Sequence, residues 1–197
     1  MAGGAWVYLA GGTADDGPLD SVLRFDSRKA VYTRLPSLPC GARFAAGAAV
    51  IDGGLFVMGG YSGARLRRVE RLQIAGGPEG GGWSEVADMV VPRSDMAVAV
   101  CEGKILVVGG DTHEVECYSS SADEWRSAAP LPAPRTSCRA CTLADAGGGG
   151  GEEGGVLVIG GFDPRTDDIL ASALRFAPGA DKWLLLPPMK EVIRGQV

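Results

Sequence analysis

Short apolar runs that end in a glycine pair recur along this chain: WVYLAGG at Trp6–Gly12, LFVMGG at Leu55–Gly60, ILVVGG at Ile105–Gly110 and VLVIGG at Val156–Gly161. The first glycines of the pairs, Gly11, Gly59, Gly109 and Gly160, are spaced 48, 50 and 51 residues apart. The runs are apolar without alternation, which predicts strands covered on both faces. A variable polar loop follows each pair. A second run comes next: VLRF (Val22–Phe25), VERL (Val69–Leu72), VECY (Val115–Tyr118) and ALRF (Ala173–Phe176). An aromatic then opens a further strand, at Tyr32, Trp83, Trp125 and Trp183. The step from the preceding run to this aromatic is 7 residues in three repeats and 11 in the second, which carries a four-residue insertion inside the glycine-rich stretch Gly76–Gly82.

Ten or 11 residues beyond each aromatic stands an arginine: Arg43, Arg93, Arg135 and Arg194. Pro36, Pro39, Pro92, Pro130, Pro132, Pro134, Pro187 and Pro188 lie between, so this stretch reads as loop and not strand. One more strand is expected after the arginine, at Phe44–Val50, Ser94–Val100 and, more loosely, Thr136–Ala144. Tight turns such as Asp52–Gly54 and Glu102–Gly103 lead back to the glycine-pair strand. Each unit is thus four short strands, with no helical period. A sheet that must be covered on both faces calls for stacked neighbours, and a radial array of four-stranded sheets supplies them.

The glycine pair, the aromatic, the Pro-rich loop with its arginine and the period near fifty together resemble kelch repeats. The resemblance covers almost the whole chain and implies an all-β, kelch-type β-propeller. Its repeats fall at about 6–35, 43–86, 93–128 and 135–186, followed by a tail at 187–197, within a single domain over 1–197. The WD40 propeller is set aside because its period is shorter and it repeats a Gly-His, whereas this chain has one histidine. Kelch propellers usually have more blades than four. Here the pattern starts at the second strand of a blade and stops just after Arg194, leaving two expectations open: a small closed ring, or an incomplete ring finished by another chain or lacking blades.

The resemblance also implies where ligand is held: on one end face, by the loops after the glycine pairs and around the arginines. The matching positions are Tyr61, Asp111 and Phe162 after a pair, with Thr13 in the first repeat, and Arg93–Ser94, Arg135–Thr136 and Arg43–Phe44 around the arginines. An arginine beside a hydroxyl can take a carboxylate through charge-assisted hydrogen bonds. The competing reading is that each arginine caps backbone carbonyls between blades. Tyr61 and Phe162 are the stronger candidates, as aromatics in loops without an evident packing role. Trp83, Trp125 and Trp183 read as packing residues, and the glycine pairs as sites of close backbone approach.

Charge and composition narrow the function classes. Nineteen basic and 24 acidic residues leave a net charge of −5 with no basic block, so neither nucleic acid nor a membrane surface is an expected partner. No stretch reaches the roughly 20 apolar residues of a membrane span. The apolar N-terminus lacks a positive leading region and aligns with internal strands, so it reads as structure and not as a signal peptide. Five irregularly spaced cysteines, Cys40, Cys101, Cys117, Cys138 and Cys141, fit free thiols in a reducing compartment, here taken as the cytoplasm. Cys138 and Cys141 form a C-x-x-C, but residues three apart on a strand face opposite ways and should not share a metal. His113, the single histidine, leaves no basis for a histidine triad or a His-rich metal site. Gly147–Gly155 lacks the lysine and helix of a phosphate loop and reads as a disordered insertion. Asp15–Asp16 and Asp167–Asp168 read as solvated loop acids, with cation or basic-peptide binding as the sharper alternative.

No catalytic set can be assembled, and no cofactor is called for. The expected function is a non-catalytic protein-interaction module for a protein or peptide ligand, acidic where the arginines reach it. Adaptor work, such as substrate recognition for ubiquitin ligases, follows from the resemblance, and self-association or completion by another chain follows from the exposed faces of an open ring. Two alternatives stand beside it. One is a metal-free, isomerase-like propeller enzyme acting on a sugar, since the copper chemistry of galactose oxidase needs two histidines. The other is a truncated propeller without independent function.

Overall fold

The computed structural model of the protein describes residues 6–74, 81–143, 155–177, 179 and 181–191. Arg194 with the end of the tail, and most of the two glycine-rich insertions (76–80 and 147–154), lie outside the described residues. Nearly every described element is a strand. After β1 (Trp6–Ala10), a small hairpin of β2 (Thr13–Ala14) and β3 (Gly17–Pro18) precedes β4 (Val22–Asp26) and β5 (Val31–Leu35). β1, β4 and β5 form sheet I. Sheet II contains β6 (Gly47–Ile51), β7 (Gly54–Met58), β8 (Val69–Gln73) and β9 (Trp83–Glu85) in that spatial order. Sheet III repeats it with β10 (Met96–Cys101), β11 (Lys104–Gly109), β12 (Val115–Ser119) and β13 (Glu124–Ala128).

Sheet IV takes β14 (Arg139–Leu143), β15 (Gly155–Ile159), β18 (Ala173–Ala177) and β19 (Lys182–Leu186). Its post-glycine loop carries a hairpin of β16 (Phe162–Asp163) and β17 (Asp168–Ile169). Every pairing is antiparallel, and register is conserved from sheet to sheet. Phe25 faces Tyr32, Leu72 faces Trp83, Tyr118 faces Trp125 and Phe176 faces Trp183.

The glycine-pair strands of sheets II and III, β7 and β11, are buried on both faces because a sheet lies on each side. Val22, Leu35 and Leu38 of the first repeat pack on Leu55, Val57 and Leu72 of sheet II. Phe56, Met58 and Val69, on the opposite face of sheet II, pack on Ile105, Val107 and Tyr118 of sheet III. Leu106, Val108 and Val115 then meet Val156, Val158 and Phe176 of sheet IV. The sheets therefore stack in chain order, as propeller blades do, and β6, β10 and β14 come together along the inner edge. Two backbone bonds tie the inner loops: Asp95 N–H to the Ala45 carbonyl at 3.0 Å and Ser137 N–H to the Asp95 carbonyl at 2.9 Å. The described residues do not close into a ring. Val7, Leu9 and Tyr32 on the outer face of sheet I are exposed.

Strand starts differ from the sequence expectation by about three residues. The first strands begin at Gly47, Met96 and Arg139, because Ala45, Asp95 and Ser137 each sit at φ +53 and interrupt the ladder. No disulfide joins any of the five cysteines. Cys138 is buried between sheets III and IV while Cys141 on β14 is exposed, so the C-x-x-C thiols do face different surroundings.

Candidate functional site

Three of the four repeated arginines are described, and each is fully enclosed. Arg93 sits just before β10, and its Nη1–H groups reach the Gly109 and Glu114 carbonyls at 2.8 and 2.9 Å. Its Nη2–H donates to Glu116 Oε1 at 2.5 Å. The Glu116 carboxylate also accepts the backbone N–H groups of Val90 (2.6 Å) and Val91 (3.2 Å). Arg43 repeats the arrangement, donating to the Gly59 carbonyl and to Glu70, which also accepts from Cys40 N–H. Arg135 donates to the Gly160 carbonyl at 3.1 Å and to Ser172 Oγ at 3.2 Å.

Burial draws the Arg93 pKa below its usual value, with Glu116 acting in the opposite direction. Arg43 and Arg135 are lowered for the same first cause. A buried guanidinium needs such partners, since an unpaired charge there is costly.

The backbone of each arginine joins its sheet to the one before. The second glycine of the preceding pair donates to the arginine carbonyl: Gly12 to Arg43, Gly60 to Arg93 and Gly110 to Arg135, at 2.9, 3.0 and 2.9 Å. The first glycine presses on the same carbonyl. A Cβ on Gly109, at φ +77, would stand 2.6 Å from the Arg135 oxygen. Arginine and glycine pair are thus two halves of one pin between sheets.

Above these pins the post-glycine loops line up at one end of the stack. Tyr61 and Phe44 exchange backbone bonds of 2.9 and 3.2 Å, and their rings lie 5.4 Å apart. Phe162 and Thr136 pair in the same way, with two bonds of 2.9 Å. Arg65 forms an ion pair with Asp111, joining the loops of sheets II and III at the surface. Of the residues singled out in the sequence, Tyr61 is exposed, and Asp111, Thr136 and Phe162 are half-buried beside solvent. Arg93, Ser94 and Arg135 are buried beneath them. The site is therefore layered, with loop residues outside and the arginine pins inside.

Arg65 lies in a post-glycine loop whose sequence varies from repeat to repeat, so no periodicity points to it. A signal for the arginines' burial was present: VERL and VECY place Glu70 and Glu116 one residue into the strand opposite each guanidinium. Asp15, Asp16, Asp167 and Asp168 are exposed loop acids, and His113 is exposed beside Glu114. Among the described residues, no group of three or more His, Cys, Asp or Glu side chains could hold a metal ion, and no helix is long and apolar enough to cross a membrane.

Comparison with known proteins agrees with the geometry. A family model described as the Kelch motif matches residues 42–90 and 92–132. The chain is 27% identical over 184 residues to Kelch-like protein 35 of Mus musculus, covering 90% of this chain and 28% of that protein. It is 25% identical over 191 residues to Kelch-like protein 23 of Homo sapiens, covering 97% and 32% respectively. Identity to the human Kelch repeat and BTB domain-containing protein 13 is 33% over 115 residues, or 55% of this chain and 25% of that one. The chain spans about a third or less of the length of these curated relatives.

Proposed function

The chain is a kelch-repeat protein, and from that premise we propose that it is a non-catalytic protein-interaction module whose recognition surface is the glycine-pair end of the stack. The observation that carries the reading is the layered end face. Exposed Tyr61, the Phe44 and Phe162 rings and the Arg65–Asp111 pair crown a layer of enclosed arginines. A rigid base with aromatic and charged residues in variable loops suits peptide recognition, where aromatic anchors carry much of the affinity.

In this reading Tyr61, Asp111, Thr136 and Phe162 touch the ligand, and Arg93, Ser94 and Arg135 hold the loops from beneath. The arginine this reading assigns to an acidic ligand is Arg65, whose guanidinium is half exposed. A ligand carboxylate would take the place of Asp111 on it. The setting we infer is an adaptor or scaffold role, with substrate recognition for a ubiquitin ligase as the form the kelch resemblance implies. A cytoplasmic location accords with five cysteines that form no disulfide. Self-association is a separate mode of contact, made by sheet faces and not by these loops.

A peptide array probed with purified chain tests the reading. Acidic peptides captured by the wild type should be lost by Tyr61→Ala/Arg65→Ala and kept by Lys104→Ala, which alters the start of β11 at the opposite end. The same capture pattern for all three chains would overturn it.

A further inference from the structure

Each sheet has a leading face, toward the sheet before it, and a trailing face, toward the sheet after it. Leading faces carry one residue set: Leu55, Val57 and Leu72 in sheet II, and Ile105, Val107 and Tyr118 in sheet III, all no more than 1% exposed. Sheet IV repeats the set with Val156, Val158 and Phe176. The counterparts in sheet I are Val7, Leu9 and Phe25, with Tyr32 at the position of the tryptophans. Val7 is 51% exposed, Leu9 48% and Tyr32 59%.

The trailing side shows the converse. Leu38, Met89 and Leu131, each six residues after the repeat aromatic, are buried, whereas their counterpart Met189 is half-buried. Leu157 and Ile159 are likewise less covered than their counterparts Leu106 and Val108.

We propose that the leading face of sheet I receives the trailing face of sheet IV from a second copy of this chain. That contact repeats, between copies, the one that joins I to II, II to III and III to IV. The open faces are the two unlike halves of a packing arrangement the chain makes three times, and every copy presents both. The polar part of the contact is also in place. At each internal contact the tryptophan Nε1–H donates to the carbonyl four residues after the preceding aromatic: Trp83 to Pro36 (3.0 Å), Trp125 to Ala87 (2.8 Å) and Trp183 to Ala129 (2.7 Å). The next acceptor in the series is the Pro187 carbonyl, and the next donor is the Tyr32 hydroxyl of the second copy. A head-to-tail contact of this kind closes with two copies or propagates.

Light scattering on the full chain, with blocking variants, tests this apart from loop recognition, because Tyr61 and Arg65 take no part in the contact. Wild type should have at least twice the 20.3 kDa mass of one chain. Leu9→Asp, or Tyr32→Asp as a second leading-face variant, should halve the mass of a dimer or bring a larger assembly to single chains. Met189→Asp on the trailing face should do the same. Mixing a leading-face variant with the trailing-face variant should restore association, since each supplies the face the other lacks, and neither misfolding nor a like-to-like contact gives that result. Wild type at one chain's mass, loss with the leading-face variants alone, or no restoration on mixing would overturn the proposal.

Discussion

Removing the Arg93 guanidinium would leave the Glu116 carboxylate buried and without its charge partner, because both groups are at most 2% exposed. Breaking one side of such a pair costs about 3–5 kcal/mol. Arg93→Ala should therefore lower the unfolding free energy by about that amount in urea titration, and a loss below about 1 kcal/mol, the range of a surface pair, would contradict the pinning role. The fixed arginine spacing was legible in the sequence, but its purpose was ambiguous. An arginine that recurs once per repeat fits a ring of ligand contacts as well as a ring of structural pins. What decides between them is the partner across the strand. Glu70 and Glu116 fill that place in two repeats, and in the fourth Ser172 accepts from Arg135 instead. That substitution by a residue outside the strand carries no periodic signal, which is why the third pin could not be read in advance.

At the scale of the element, the strands were readable because two-sided burial leaves apolar runs without alternation, and the glycine pairs mark where those runs stop. Their first strands were less so. Phe44–Val50 has strand-like composition throughout, yet Phe44 makes an isolated bridge to Tyr61 and regular pairing resumes at Gly47. The left-handed residue between them is Ala45, with Asp95 and Ser137 at the same place in later repeats. Three unlike side chains at one strained position give no sequence cue. The glycine-pair turn makes a sharper prediction. Gly103 and Gly109 both have positive φ, but a Cβ on Gly103 meets nothing within 4 Å, while one on Gly109 collides with the Arg135 carbonyl. Gly103→Ala should cost about 1–2 kcal/mol, the left-handed penalty alone, and Gly109→Ala clearly more, by urea titration of the two variants side by side. Equal losses would mean that the glycine pair does not set the distance between sheets.

For the whole molecule, the stack has two kinds of surface with different work. Its open sheet faces are apolar and built like the internal contacts, which suits them to another sheet. Its glycine-pair end is irregular and carries exposed side chains on enclosed supports, which suits it to a peptide or protein. The architecture was legible from the fifty-residue period. The end face was legible only in part, since Tyr61, Asp111 and Phe162 could be placed by position whereas the Arg65 bridge depends on how two loops meet. The measurement that tests the central claim most directly is site-specific photo-crosslinking in cells, with a benzophenone amino acid at Tyr61 in one chain and at Ser121 in another. Ser121 lies in the turn between β12 and β13, at the opposite end of the stack. The account predicts discrete protein adducts from position 61 that disappear when Arg65→Ala is added, and none from position 121. Adducts from position 121 with silence at position 61 would contradict it.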